Sequence, residues 1–344
     1  MPVLYITSDR PRSGKTALVA ALASRMREAG RRVAYFKPLS SSAGADPDVE
    51  FLSANVLPQA GPAPAPLPLS GQGDSAPDGG LGDEGLDRIT SAVRELAGST
   101  DLTIVEGPSL SVTPGDGDPA VRLAQAVDAD VLLVVRYEKE LGGDGVLALC
   151  EPFGQRLAGV LVNLVTRYKE REALHDIAPA VRARGIEFLG AIPEDRTMLS
   201  VTVGQIAEHL GGRWVMGRER SRDLVENLLI GGNIMDSGDT YFGRKESKAV
   251  IVRGDRPDIQ MAALSRPATC LVLTGGHEPI QYVYHEAGQR EVPLLVVDQD
   301  TLSAAQALDT LLERSTCHHT RKVERFRELL DQRVDVASIK AISV

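Results

Sequence analysis

Three features of the sequence predict an α/β fold. Short β-branched and aliphatic runs alternate with longer amphipathic ones, the pattern of βαβ units around a parallel sheet. The first run, VLYIT, leads through a polar loop into the helical sequence TALVAALASRM. A chain of 344 residues with 43% hydrophobic content is long enough for roughly two domains, each with its own core.

In the first part, strands are expected at residues 3–7, 32–36, 102–106, 131–135, 159–163 and 186–192, where aliphatic residues run without a break. Helices fill the gaps at about 14–29, 83–97, 118–128, 143–154, 169–184 and 202–211. Between 57 and 85 the chain reads PAPAPLP and then SGQGDSAPDGGLGDEG, too poor in large apolar groups to pack, so a mobile loop or lid is expected. Gly211, Gly212 and Arg213 close this series and bound a first domain of residues 1–212. An amphipathic stretch near 219–230 opens a second, smaller α/β domain over 216–332. Its strands are expected at 248–252, 269–274 and 293–297, and its helices at 257–265, 279–289, 300–314 and 319–331. Residues 333–344 read as a frayed tail.

A net charge of -9 and a pI near 5.3 argue against a broad basic surface for nucleic acid or an anionic membrane, which leaves small molecules or proteins as partners. Cys150, Cys270 and Cys317 are scattered singly, without a CxxC pair, and read as small core residues of a reducing compartment. The N-terminus has no basic n-region or long apolar h-region, and no apolar run approaches the roughly 20 residues that span a bilayer. Cytoplasmic residence is expected. The six His residues form no i, i+4 metal pair, and the adjacent His318 and His319 read as surface residues.

Between the first strand and the first helix lies Ser8-Asp9-Arg10-Pro11-Arg12-Ser13-Gly14-Lys15-Thr16, the context that a phosphate-binding loop requires. Such a loop presents backbone N–H groups and a helix N-terminus to phosphate, a Lys to its outer oxygens and a hydroxyl to Mg²⁺. Gly14, Lys15 and Thr16 supply the last part in order, and Arg12, Ser13 and Ala17 complete the local nucleotide-binding set. Ser8 stands where the motif has its first Gly, and Pro11 removes one N–H from the cradle, a loss that Arg10 and Arg12 are expected to offset with charged donors. Glu106 ends a strand just before Gly107-Pro108, the place for a magnesium-holding carboxylate. Asp46 and Asp48 follow the second strand and read either as a second ligand or as solvated loop acids. Lys37 faces phosphate or an acidic substrate, or else snorkels at its strand end. Asn163 and Pro193 end neighbouring strands and are expected to frame a base pocket, with a plain turn role as the alternative for Asn163.

Ser13-Gly14-Lys15-Thr16, Lys37-Pro38-Leu39, Glu106-Gly107-Pro108, Asn163 and Ile192-Pro193 together resemble the dethiobiotin synthetase-like P-loop family over roughly residues 1–212. The later segments Gly254-Asp255-Arg256-Pro257 and Thr274-Gly275-Gly276 resemble a DRTGG domain. The pairing is similar to the N-terminal region of long bacterial phosphate acetyltransferases, but the chain stops before an acetyltransferase domain would begin, so acetyl transfer to phosphate is not expected. The resemblance implies an ATP and Mg²⁺ site at Lys15, Thr16 and Glu106 with Asp48 as a further metal partner, and Lys37 and Ser41 as the remnant of a substrate site. In the second domain, Asp255, Arg256, Thr274, Gly275 and Gly276 would form a ligand site.

Three functions fit this reading. One is a regulatory protein that binds or slowly hydrolyses ATP while its DRTGG domain senses a small ligand or pairs two copies as a homodimer. Another is an ATP-dependent ligase that phosphorylates a small carboxylate or carbamate, with Lys15 and Lys37 as catalytic cations. The third is a non-hydrolysing scaffold with a degenerate loop.

Overall fold

A computed structural model describes residues 2–40, 42, 44–60, 64–68, 81–111, 114–115, 117–166, 168–232, 238–339 and 341–342. The chain divides into two compact units, Met1–Glu194 with Cys317–Val344, and Asp195–Thr316.

The first unit holds a six-stranded parallel sheet. Its strands are β1 (Val3–Ser8), β2 (Val33–Phe36), β3 (Leu102–Ser109), β4 (Asp130–Arg136), β5 (Leu157–Val165) and β6 (Phe188–Pro193). They lie in the order β2-β3-β1-β4-β5-β6. Every adjacent pair is parallel, and the strands are buried on both faces, which is why they read as unbroken aliphatic runs. The register aligns Ile6 with Glu106, Ser8 with Ser109 and Val134, Arg136 with Asn163, and Val165 with Pro193. The predicted site residues therefore gather at one rim, outside the carboxyl ends of the strands. Gly107 has no room for a side chain, because a Cβ there would overlap the ring of buried Tyr5 on the neighbouring strand.

The main helices of this unit are α1 (Lys15–Glu28), the short α2 (Pro47–Phe51), α3 (Asp83–Ser99), α4 (Pro119–Ala126), α5 (Gly142–Cys150) and α6 (Ala178–Ala183). The helix expected over 169–184 is present from Glu170 to Ala183, with a π-helical stretch at Ala173–Ile177 ahead of α6. Within the stretch 57–85, residues 61–63 and 69–80 lie outside the described residues. Of the remainder, Leu67 and Pro68 pair in parallel with Leu39 and Ser40, and Leu81 is buried.

The second unit carries α7 (Val203–His209), β7 (Arg213–Met216), β8 (Asn227–Gly231), α8 (Gly238–Phe242), β9 (Lys248–Arg253), α9 (Pro257–Leu264), β10 (Cys270–Thr274), α10 (Gln281–Gln289), β11 (Leu294–Val296) and α11 (Thr301–Leu312). Its sheet runs β7-β11-β10-β9-β8, with β7 antiparallel to its neighbour and the others parallel. The amphipathic stretch near 219–230 thus ends in a strand, since Asn227 to Gly231 pair along β9.

After this unit the chain returns to the first. Helix α12 (Thr320–Arg333) packs on α1, burying Val323, Phe326, Leu329 and Leu330, with the ion pairs Arg25–Asp331 and Arg327–Glu28 beside them. Three departures from the sequence reading follow from this return. The units divide after Glu194 rather than near 215, and the helix at 319–331 belongs to the first unit. The expected frayed tail is anchored: Gly190 bridges Val334, the Asp335 amide donates to Leu189 O at 2.9 Å, and Val336, Ile339, Ala341 and Ile342 are buried. Both layers explain α1, whose Ala17 through Ser24 are all buried, as befits a helix sandwiched between sheet and helix.

Candidate functional site

The loop between β1 and α1 is built around a helix start that no side chain caps. Gly14 is the residue before α1 and lies at φ 95°, in the left-handed region, and the Lys15 to Ala17 turn follows with no side-chain cap. A Cβ at Gly14 would overlap the amide nitrogen of Asn163, so glycine is required on two counts. Asn163 is buried and its Nδ2 donates to Ser13 O at 2.8 Å, fastening the loop to the end of β5. Asp9 braces the other side, its Oδ1 accepting from Ser13 Oγ at 2.9 Å and from the Arg136 amide at 3.0 Å. The Lys15 ammonium donates to Ser8 Oγ at 2.8 Å and Ser109 Oγ at 2.7 Å. Ser8 thus gives the lysine a hydroxyl where the usual loop has glycine. Burial holds the Lys15 pKa below its ordinary value, against the pull of Glu106.

Next to this lysine is a cluster of hydroxyl and carboxylate groups bridged by Lys37 and His318. Thr16 Oγ1 donates to Glu106 Oε1 at 2.7 Å, and Tyr35 donates its hydroxyl to Glu106 Oε2 at 2.8 Å. Burial, then the negative charge of Asp48, push the Glu106 carboxyl above the usual range, although Lys37 and Lys15 draw it down. Lys37 donates to Asp46 at 3.0 Å and also to Asp48. Burial disfavours its ammonium, but the charge of Glu106 and the bonds to Asp48 and Asp46 prevail, and its pKa lies above the ordinary value. Asp48 has His318 Nε2 on its other oxygen at 2.7 Å. Burial raises the Asp48 pKa, yet the bonds from His318 and Lys37 outweigh it and bring the carboxyl to about 2.

The structure brings Ser13, Gly14, Lys15, Thr16, Glu106, Lys37, Asp48 and Asn163 to one rim and gives others different duties. Arg10 is tied to Asp9 at 2.6 Å and to Glu138, so its guanidinium is already engaged. Arg12 is exposed at φ 61°. Asp46 is a helix cap, its Oδ1 accepting from the Asp48 and Val49 amides at 2.9 and 3.3 Å while Oδ2 accepts from Ser40 Oγ at 2.5 Å. Asn163 spends its N–H on Ser13 instead of presenting it as a free amide edge. Ser41 lies outside the described residues. Two surface cavities of about 590 and 390 Å³, lined around Asp128 and Arg156 and around Trp214 and Arg218, hold none of the predicted residues. Among the described residues no group of three or more His, Cys, Asp or Glu side chains is placed to hold a metal.

Ser109, Tyr35, Asp9 and His318 are additions to the predicted set. Ser109 and Tyr35 were within reach of strand register, since β3 lies between β1 and β2. His318 had no local signal: it is neither on a helix nor on open surface. It precedes α12, is stacked near the Phe51 ring with centroids 5.3 Å apart, and meets a carboxylate 270 residues earlier.

Compared with known families, residues 3–200 match the family described as AAA domain, which is more than half of the chain. The chain belongs to this AAA domain family. Residues 205–311 match the DRTGG domain, so the two domains stand in tandem. The chain is similar to a phosphate acetyltransferase of Pseudomonas putida, 25% identical over 94% of this chain and 49% of that protein. It is also similar to the ATP-dependent dethiobiotin synthetase of Streptomyces avermitilis, 31% identical over 62% of this chain and 95% of that protein. The chain thus spans about half the length of the acetyltransferases it matches. The MinD cell division protein of Aquifex aeolicus overlays at a TM-score of 0.36 with 20% identity, covering 58% of this chain and 85% of that one, a likeness too loose to carry an argument. No helix among the described residues is long and apolar enough to cross a membrane.

In the DRTGG domain, the Thr274-Gly275-Gly276 part of the motif forms one turn. Gly275 and Gly276 lie at φ 82° and 71°, and their amides donate to Gln299 O and Val297 O, both at 2.9 Å. Thr274 Oγ1 meets Thr301 Oγ1 at 2.9 Å, and the Gly254 amide donates to Thr274 O at 2.8 Å. Buried Gln260 donates to the carbonyls of Arg253 and Gly254 at 2.8 and 3.0 Å. Asp255 and Arg256 face local partners on the surface, Arg253 and Asp258. Thr274, Gly275 and Gly276 are thereby joined to Gly254, whereas the two charged residues pair within their own turn.

Proposed function

We propose that this chain is a cytoplasmic ATP- and Mg²⁺-binding P-loop protein whose DRTGG domain senses a small ligand or pairs two copies. The observation that carries this reading is the uncapped start of α1, with Lys15 on one side and the Thr16–Glu106 pair on the other. A helix N-terminus flanked by an ammonium suits the phosphates of a nucleotide. The donors beside it, the Thr16 hydroxyl and the Glu106 and Asp48 carboxylates, are all oxygen, the chemistry that suits Mg²⁺. Thr16, Glu106 and Asp48 would hold the ion, which would offset phosphate charge. Lys15 would meet the outer phosphate oxygens by leaving its two serine partners. Calorimetry with ATP, with and without Mg²⁺, tests the reading, with Lys15→Ala as the control. Wild-type protein should bind and the variant should lose at least about tenfold in affinity, consistent with one charge-assisted bond. Wild-type protein that binds no ATP overturns the proposal.

A second reading is favoured by the 31% identity across nearly the whole of a dethiobiotin synthetase. It makes the chain an ATP-dependent ligase of a small carboxylate or diamine, with Lys37 toward the substrate. It requires ADP release that rises several-fold on adding such a compound, and basal turnover across a broad panel would remove it.

A further inference from the structure

Resting on the reading of Asp48 as a magnesium ligand, we propose that His318 is its positioning residue, delivered to the P-loop site by the segment that follows residues 195–316. Asp48 sits in the first turn of a helical stretch, Pro47–Phe51 continued by Leu52–Val56, and its carboxylate is gripped by residues outside that stretch. Its two oxygens are divided between two donors: His318 Nε2–H at 2.7 Å on Oδ1, and the Lys37 ammonium on Oδ2. The two partners differ in kind. Lys37 has a second acceptor in Asp46 at 3.0 Å and can release Oδ2 without becoming a buried unpaired cation. His318 is held by one ring contact and by the anchoring of the chain just after it. Its ring lies 5.3 Å from that of Phe51, the next residue, His319, caps α12 through the Arg321 amide at 3.2 Å, and α12 is packed on α1. Metal-binding carboxylates are ordinarily oriented by such outer donors, one oxygen taking the hydrogen bond and the other the ion. Here that donor comes from the far side of a 122-residue unit, since residues 195 to 316 separate Glu194 from Cys317. Half-buried Cys317 belongs to the same approach: burial, then the charges of Asp48 and Glu106, push its thiol up to about 12.

The test is a magnesium titration of the full chain with a fluorescent ATP analogue, for wild type, His318→Phe, His318→Ala and His318→Gln. Phenylalanine keeps the ring against Phe51 and removes the donor, so it remains informative if the alanine variant fails to fold. Glutamine restores an N–H. For His318→Phe the Mg²⁺ midpoint should rise about tenfold, the lower end of outer-donor effects, with nucleotide affinity in EDTA unchanged. His318→Gln should return most of the loss. Wild-type binding with an unmoved midpoint in His318→Phe overturns the assignment alone, as does an equal loss with and without Mg²⁺. Wild-type protein that binds no nucleotide overturns the proposed function and this assignment together.

Discussion

Gly14→Ala isolates the fit between the P-loop and β5. The substitution has two separable costs. Holding a non-glycine residue at φ 95° costs about 1–2 kcal/mol. The new Cβ overlaps Asn163 Nδ2, so the amide must withdraw from Ser13 O, and losing that buried bond costs about 1–3 kcal/mol more. The total is about 2–5 kcal/mol. Asn163→Ala alone forfeits the bond at about 1–3 kcal/mol. In the double variant the overlap is gone and the bond is already lost, so adding Asn163→Ala to Gly14→Ala should cost almost nothing further. The sum of the single effects should exceed the double by about 1–3 kcal/mol. The single tryptophan, Trp214, lies in the second unit, so its fluorescence is a poor reporter of this loop. Hydrogen exchange of the β1 and α1 amides, read by mass spectrometry, reports on the right structure. Additivity of the two substitutions to within about 0.5 kcal/mol would refute the reasoning.

Three further outcomes follow from buried polar groups. Burial lowers the Lys322 pKa from 10.5 to about 8, so between those values the unfolded chain holds a proton that the folded chain lacks and stability rises with pH; wild type should gain relative to Lys322→Met by denaturation from pH 8 to 10, and parallel curves would count against it. The Tyr5 hydroxyl is buried without a partner among the described residues, so Tyr5→Phe should leave hydrogen-exchange stability equal or raise it by about 1 kcal/mol, whereas a clear loss would reveal a missed partner. Asp46→Ala removes the cap of α2 together with an acceptor for Lys37 and Ser40, and should cost about 1–2 kcal/mol in the same measurement, more than a surface aspartate would.

Much of the framework was legible because a doubly covered parallel sheet demands continuous aliphatic strands, and Val3–Ser8, Leu102–Ser109 and Asp130–Arg136 advertise themselves that way. The P-loop was legible because glycine, lysine and a hydroxyl must follow one another where strand gives way to helix. Asn227–Gly231 was harder, since it is a short edge strand whose three leading side chains are half-buried and whose Ile230 is exposed, and its amphipathic lead-in shows no sharp period of two. The place of Thr320–Arg333 was not legible at all. Its apolar stripe shows that it packs, but not on what, and the sequence places it beside the second unit. The same blindness hid His318, whose contact is with a partner far away along the chain, while Asp46 stayed open between ligand and loop acid because a helix-capping acid and a ligand acid share one local pattern.

The return of α12 to α1 has a consequence for biosynthesis. On the ribosome α1 is made early, but the helix that covers its outer face is encoded beyond the whole intervening unit. At about 5–20 residues per second, those 122 residues take about 6–24 s to translate. During that interval α1 lacks the helix that covers its outer face. Early folding of the intervening unit would bring its two ends to a fixed separation and spare the chain most of the entropy of closing so long a loop. The sheet is complete by Pro193, and the helix that closes over its first helix is the last part to arrive.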